Sequence, residues 1–217
     1  MNHNPDTYYQ RSEVSNSDLT AIKNMLHPSL AHNSDNALMF GTLVDAIITE
    51  PQRVNYYTLT VDDVQYTDDD FRLAREMHKS LRMEARKDMF LARVLSEAET
   101  QVVMTRTRDF RYGNFSFELP TRCKWDWYFT KYGFGGDLKS TAAASQHEFE
   151  NSIDFFDWDR SRAWYMDIAQ SDRDFIYAIS KKNCMVFKKI IQRDDETYIR
   201  GKEKYEELAF HYWCFNI

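Results

Sequence analysis

The chain has 217 residues, of which 43% are hydrophobic, 29% charged and 15% aromatic, and its formal net charge is −6. These values exclude a disordered chain and predict a single ordered domain over residues 1–217. No apolar run could span a membrane and no secretory signal is present, so we expect a cytoplasmic protein. Three scattered cysteines exclude a disulfide framework and a structural zinc site. The acidic balance means that any contact with DNA must use a local basic surface.

The first part of the chain is predicted to be helical after an irregular arm over residues 1–12. Ser15 is placed to cap a short helix that ends near Pro28. A second helix runs from Ala37 to Thr49 and is stopped by Pro51. Its wide apolar face predicts burial, and its narrower stripe is made of small or polar residues, namely Gly41, Thr42, Asp45 and Thr49.

Strand patterns follow two further helical segments, at residues 69–82 and 84–96. The predicted strands are Glu99–Arg106, Arg122–Phe129 and Gly136–Thr141, whereas Asn114–Leu119 is ambiguous between a short strand and a loop. Residues 131–135 supply the turn of a hairpin between the last two strands.

The segment Arg122–Phe129 alternates with period two. One set of side chains is apolar and should face a core: Cys123, Trp125, Trp127 and Phe129. The other set should face a polar surface or cleft: Arg122, Lys124, Asp126 and Tyr128. Across the hairpin, Asp126 should lie close to Asp137, with Lys139 on the same face as Asp137.

The remaining elements complete the predicted architecture. They are a helix over Trp158–Ala169, strands over Phe175–Ser180 and Met185–Ile191, and a helix over Gly201–Phe215. Helices, three strands, a helix, two strands and a helix in this order predict an α/β fold with a central mixed sheet flanked by helices.

Asp126 and the triplet Asp137-Leu138-Lys139 have the residue types of a phosphodiester-cleaving site. The two carboxylates, with the carbonyl of Leu138, could bind Mg²⁺ or Mn²⁺. Lys139 could orient or deprotonate the attacking water or stabilise the phosphorane. The alternative is an ordinary solvated strand face, since charged residues are frequent in this chain.

Several segments resemble one nuclease family. The motifs, in chain order, are Phe40-Gly41-Thr42-Leu43-Val44-Asp45-Ala46 with Glu50-Pro51, Cys123-Lys124-Trp125-Asp126, Gly136-Asp137-Leu138-Lys139-Ser140-Thr141, Asp159-Arg160-Ser161-Arg162-Ala163-Trp164-Tyr165 and Ile179-Ser180-Lys181-Lys182-Asn183. Together they resemble the PD-(D/E)XK superfamily, and within it the exonuclease VIII-like (RecE-type) nucleases of phages and prophages. The resemblance covers nearly the whole chain and implies a restriction-endonuclease-like fold.

The resemblance assigns roles to individual residues. It implies that Asp126 and Asp137 bind metal and that Lys139 is the catalytic lysine. Asp45 stands where the family usually has a metal-binding histidine, and Ser161 where it usually has a glutamine, whereas Tyr165 keeps its motif position. The alternatives are a structural, hydrogen-bonded Asp45 and packing roles for Ser161 and Tyr165.

Other charged residues are candidates for accessory roles. Glu99, on a strand next to Asp126, could extend the acidic cluster. The candidates for contact with DNA phosphates are Arg122, Lys124, Lys181 and Lys182. The alternative for the lysines is simple solvation on a turn or strand.

The function implied by these motifs is a Mg²⁺-dependent exodeoxyribonuclease acting on DNA ends in phage-type recombination. The resemblance also implies a homo-oligomer, with a ring as one form, and a single-strand annealing protein as a partner, inside a bacterial or phage-infected cell. An endonuclease would use the same metal site. The alternative from another class is a nuclease-fold module that binds DNA or protein with weak or no catalysis.

Overall fold

The computed structural model describes residues 7–28 and 35–216. Within these residues the helices are α1 (Asn16–Leu26), α2 (Asp35–Thr49), α3 (Asp68–Glu84), α4 (Met89–Glu97), α5 (Gln146–Phe155), α6 (Trp158–Ala169) and α7 (Glu196–Phe215). The strands are β1 (Val54–Asn55), β2 (Thr60–Val61), β3 (Val64–Gln65), β4 (Glu99–Tyr112), β5 (Phe115–Phe129), β6 (Phe134–Thr141), β7 (Arg173–Ser180) and β8 (Val186–Gln192). Short 3₁₀ turns lie at Thr7–Gln10 and Pro51–Arg53.

Side-chain caps set the start of the main helices. The hydroxyl of Ser15 accepts from the backbone N–H of Asp18, whose carboxylate accepts in return from the Ser15 N–H. Thr67 and Asp70 make the same reciprocal pair at the start of α3. Ser145 caps α5, a helix that the polar sequence around it did not predict.

The main sheet has the strand order β4-β5-β6-β7-β8. Neighbouring strands are antiparallel except β6 and β7, which are parallel. The connection between those two carries α5 and α6 across one face of the sheet. The mixed sheet with flanking helices confirms the predicted fold class.

Helices cover both faces of this sheet. The first apolar cluster lies against α1, α5, α6 and α7 and includes Leu19, Trp125, Phe149, Trp164, Ile176 and Tyr205. The second lies against α2, α3 and α4 and includes Leu43, Met77, Leu91, Trp127, Leu138 and Phe175. None of the helices in the described residues is both long and apolar enough to span a bilayer.

The period-two prediction for β5 is wrong in one respect. Trp125 and Trp127 are both buried, but they belong to opposite apolar clusters although they are two residues apart. The alternation therefore shifts by one residue at Asp126. Tyr128 and Arg122 are buried as well, because helices pack on both faces and leave neither face of β5 polar.

Strand β5 is also longer than predicted and passes through Pro120, which pairs with Thr107 of β4. Pro120 is tolerated because β6 pairs only with residues 127–129 of β5. The edge of β5 that faces away from β4 therefore needs no backbone N–H at position 120. That edge is covered instead by Val14, whose N–H donates to the Pro120 carbonyl over 2.8 Å.

We predict that Gly201→Ala destabilises the protein. A Cβ at Gly201 of α7 would overlap the backbone carbonyl of Asp159 in α6, and backbone cannot move aside as a side chain can. Overpacking of this kind costs about 1–3 kcal/mol. Urea unfolding would measure the change.

Gly41→Ala is the matched control, because Gly41 also lies within a helix. Its Cβ would meet only Ser140 Oγ at 3.7 Å, an ordinary contact. Gly41→Ala should raise the free energy of unfolding by about 0.5–1 kcal/mol, because alanine favours the helix more than glycine does. Equal effects of the two substitutions would contradict the packing argument.

Candidate active site

Asp126 lies in a local gap of the β-sheet. Its position in β5 falls between Trp125, which pairs with Val102, and Trp127, which pairs with both Thr100 and Gly136. Asp126 itself has no register partner in either neighbouring strand. Its Oδ2 accepts instead from the backbone N–H of Leu138 in β6 over 2.8 Å. The side chain thus replaces a backbone hydrogen bond and stays at the edge of the opening.

Asp137 is fixed between two cations. Its Oδ2 is 2.6 Å from Nζ of Lys139, and its Oδ1 is 3.2 Å from a guanidinium nitrogen of Arg162 in α6. The same guanidinium is 3.6 Å from the buried carboxylate of Asp174 and packs over the ring of Tyr165. Asp137 is therefore held in one orientation by groups on two elements.

Asp45 of α2 is held by neutral donors. The Thr49 hydroxyl, one turn later, donates to Asp45 Oδ1 over 2.8 Å. The side-chain amide of Gln101 in β4 donates to Asp45 Oδ2 over 3.3 Å and to Thr49 Oγ1 over 2.8 Å. No cation pairs with Asp45 among the described residues.

A cleft of about 780 Å³ opens above these groups. It is lined by α2, the ends of β5 and β6, α5 and the turn after β7; the polar side chains in the lining are Thr42, Asp45, Asp126, Lys139, Ser140, Thr141, Glu148, Ser152 and Lys181. A second groove of about 1080 Å³ is lined in part by Gln101 and Lys124. The two openings are adjacent, because Gln101 lines the second and contacts Asp45 of the first.

The three carboxylates differ in how readily they ionise. Burial, and then the charges of Asp45 and Asp137, raise the pKa of Asp126 well above its usual value. Burial also raises the pKa of Asp45 against the opposing effect of the Thr49 hydrogen bond. Burial acts on Asp137 too, but Arg162 and Lys139 outweigh it and lower its pKa. A cation that entered the cleft would stabilise the ionised forms of Asp126 and Asp45.

The donor atoms at this point fit a hard divalent cation. Asp45 and Asp126 supply carboxylate oxygens, and the Leu138 carbonyl faces the same strand edge as the Leu138 N–H. In the described residues no three or more His, Cys, Asp or Glu side chains are already grouped as a metal site. Mg²⁺ commonly takes only one or two carboxylates and keeps several waters. The residues present therefore suit such an ion without a preformed protein cage.

Comparison with known proteins identifies the family of this chain. Residues 12–216 match the model of a family described as a PDDEXK-like domain of unknown function (DUF3799). The chain belongs to this family. Membership of a PDDEXK-like family confirms the superfamily that the sequence motifs resemble, whereas the finer RecE-type assignment is not decided by it.

Two solved structures were compared with this PDDEXK-like chain. One is the crystal structure of SSO0001, at 13% identity and a TM-score of 0.38, covering 89% of this chain and 85% of that one. Another is a phage-related exonuclease from Haemophilus somnus 129PT, at 10% identity and a TM-score of 0.46, covering 97% and 88% respectively. No curated protein matches the chain.

The PDDEXK-like fold places the predicted helix residues behind the site. Ser161 is buried, and its hydroxyl donates to the carbonyl of Trp158 rather than facing the cleft. Tyr165 packs edge-on against Trp125 and under the Arg162 guanidinium. Both residues contact Arg162, which in turn lies beside Asp137.

One predicted accessory residue, Glu99, lies away from the site. Glu99 is exposed and accepts from the hydroxyl of Thr130 over 2.6 Å, so it does not extend the acidic cluster. In the ladder between β4 and β5, Glu99 pairs with Tyr128 and so lies beyond the position opposite Asp126.

The basic residues predicted to contact DNA also lie in different places. Arg122 is buried, and its guanidinium donates to backbone carbonyls of Arg11 and Glu13, which corrects the expectation that it contacts DNA. Lys182 is exposed but outside the lining of the cleft. Lys181 lines the cleft, and Lys124 lines the adjacent second groove.

Three residues in contact with the carboxylates were missed as site residues from the sequence. Thr49 was visible on the polar stripe of α2 but had no assigned role. Gln101 requires the register of β4 against β5, and Arg162 requires the placement of α6 behind β6. A buried arginine two residues from Trp164 in an otherwise apolar helix face was the available signal for the last.

We predict that Asp126→Asn stabilises the metal-free protein at neutral pH. Because the pKa of Asp126 is raised in the folded state, folding stability falls as pH rises from the unfolded value, about 3.9, through the folded one. Asp126→Asn removes this fall in folding stability. Each kcal/mol of stability gained raises Tm by about 2–4 °C for a chain of this length. Thermal melts in EDTA at pH 7.5 and at pH 4 would measure it, with a gain only at pH 7.5.

Asp109→Asn is the control, since Asp109 is an exposed residue of β4. Asp109→Asn should leave the difference in Tm between pH 7.5 and pH 4 as it is in the wild type. A gain of equal size for Asp126→Asn at both pH values would contradict the electrostatic cause.

Proposed function

We propose that the protein is a metal-dependent deoxyribonuclease that hydrolyses phosphodiester bonds. The observation that carries the proposal is that Asp126 and Lys139 line one cleft of a PDDEXK-like domain, with the buried Asp137 paired to the Lys139 ammonium. Nucleases of the PDDEXK type generally use divalent metals. We take Mg²⁺, with Mn²⁺ as an alternative, to be the ion, because the donors are oxygens.

Each residue has a separate task in this proposal. Asp45, Asp126 and the Leu138 carbonyl hold the ion, which when bound would lower the pKa of a coordinated water and offset phosphate charge. Asp137 holds Lys139 at 2.6 Å, so the ammonium stays at the cleft instead of extending into solvent. Lys139 then orients the attacking water and donates to a phosphate oxygen as negative charge develops.

The two grooves suggest the course of the DNA strand. Lys181 lines the cleft and Lys124 lines the adjacent groove, so successive phosphates of a strand that crosses both openings could each meet a cation. The overall charge of −6 leaves such local lysines to supply the attraction.

The finer parts of the proposal rest on the motif resemblance. They are an exonuclease that acts on DNA ends in phage-type recombination, a homo-oligomer that encloses DNA, and a single-strand annealing protein as partner. A ring would also place basic groups inward while the outer surface remains acidic.

One observation favours a binding module without catalysis. Both oxygens of Asp137 are engaged by cations, and no preformed metal cluster exists in the described part of the chain. Such a protein would hold DNA at the cleft without cleaving it. The family-typical histidine and glutamine are also replaced by Asp45 and Ser161.

We predict that the wild-type protein degrades linear duplex DNA in the presence of Mg²⁺ and that Lys139→Ala slows this at least about 100-fold. The lysine both orients the water and stabilises phosphate charge, and alanine does neither. Gel assays with linear and covalently closed circular DNA would measure rate and mode. Lys87→Ala, at a lysine whose side chain is 77% exposed, is the control.

The outcomes separate the candidate functions. Degradation of linear DNA alone supports an exonuclease, whereas cleavage of circular DNA supports an endonuclease. Binding to both without cleavage supports the binding module. Full activity in a folded Lys139→Ala variant would remove the catalytic assignment of Lys139.

We also predict that Lys181→Ala and Lys124→Ala weaken DNA binding without a change in fold. Removal of one lysine–phosphate interaction should reduce the slope of log affinity against log salt by about 0.7–0.9. Fluorescence anisotropy over a salt series would measure it. An unchanged slope in both variants would contradict the proposed strand course.

A further inference from the structure

Gln101 has a backbone conformation that its residue type disfavours. Its φ is +57°, in the left-handed region, although it lies within strand β4. The flanking pairs, Thr100 with Trp127 and Val102 with Trp125, place it across from Asp126. Strained conformations of non-glycine residues persist where the surroundings enforce them, often at functional sites.

From this strained backbone, the side-chain amide of Gln101 reaches two neighbouring acceptors on α2. The amide donates to Thr49 Oγ1 over 2.8 Å and to Asp45 Oδ2 over 3.3 Å, while the Thr49 hydroxyl donates to Asp45 Oδ1 over 2.8 Å. Both oxygens of Asp45 are thus held by donors from β4 and from the next turn of α2. The carboxylate cannot rotate without breaking this network.

The charge of these donors matters as much as their position. Asp137 is paired with Lys139 and Arg162, so much of its negative charge is already balanced. Among residues 7–28 and 35–216, the donors to the Asp45 carboxylate are a hydroxyl and an amide, which orient it and leave its charge available to a cation. Asp45 is therefore oriented so that it can bind a cation instead of pairing with a charged side chain of the protein.

We propose that Gln101, acting through Thr49, is a positioning residue that holds Asp45 as a ligand for the divalent cation. This inference rests on the proposed metal-dependent function. It goes beyond that proposal by assigning the left-handed strand residue to the binding of the cation rather than to the stability of the sheet.

Substitutions at Gln101 can separate the two roles. Asparagine and glycine both accept the left-handed conformation more readily than glutamine, and neither can reach Asp45. In Gln101→Asn and Gln101→Gly we expect a metal-free Tm no lower than that of the wild type. We also expect the dissociation constant for Mn²⁺ to rise about 10- to 100-fold, the usual effect of removing a group that orients a metal ligand.

Thr49 supplies a matched pair. Thr49→Ser keeps the hydroxyl and should keep Mn²⁺ affinity, whereas Thr49→Val keeps the shape, loses the hydroxyl and should weaken it. Isothermal titration with Mn²⁺ in the absence of DNA would give the affinities, and melts in EDTA would give the Tm values. Unchanged affinity in both Gln101 variants, with or without a fall in Tm, would overturn the inference.

The same measurements distinguish this inference from the proposed function. If the wild type binds Mn²⁺ and the variants do not, but no DNA is cleaved, the nuclease proposal fails and the inference stands. If the wild type cleaves DNA and the variants bind Mn²⁺ equally well, the inference alone fails. If the wild type binds neither Mn²⁺ nor Mg²⁺, both are wrong.

Discussion

The candidate site depends on the interruption of the β-ladder at Asp126. In a regular sheet this residue would pair with Gln101 on one side and with Asp137 on the other, and all of their backbone groups would be consumed by the ladder. Neither pair forms. The Asp126 carboxylate satisfies the Leu138 N–H, and the Leu138 carbonyl at the same edge remains next to the opening. The interruption also moves Trp127 to the opposite face from Trp125, which buries both rings and leaves a carboxylate between them.

Three carboxylates crowded at this gap are tolerated because each has a different environment. Asp137 is compensated by Lys139 and Arg162, and Arg162 in turn lies beside Asp174. Asp45 is oriented by neutral donors. Asp126 accepts from one backbone N–H in the part of the chain that the structure describes, and burial keeps its pKa high. A buried charge without a partner costs several kcal/mol, so this division allows the acidic cluster to exist in the absence of a bound cation.

Much of the fold could be predicted because local signals agreed with it. The cap at Ser15, helical periodicity in Trp158–Ala169 and alternation in β5 all reflect short-range physics. The polar helix α5 was missed, because its stability comes from packing Phe149 and Ile153 onto the sheet. The shift of face at Asp126 was missed, since alternation assumes an unbroken ladder. Within the site, the triplet that ends in Lys139 was visible in sequence, but Gln101 and Arg162 depend on register and helix placement between residues far apart in the chain.

Asp45, at the position where the nucleases that the motifs resemble usually have a histidine, also has a consequence for the choice of metal in the proposed function. With Asp45, Asp126 and the Leu138 carbonyl, every donor offered at the cleft is a hard oxygen. Imidazole nitrogen favours zinc, copper and nickel, whereas carboxylate and carbonyl oxygens suit magnesium, calcium and manganese. In the proposed function, a site built from oxygen donors alone would therefore suit magnesium, calcium or manganese better than zinc, copper or nickel.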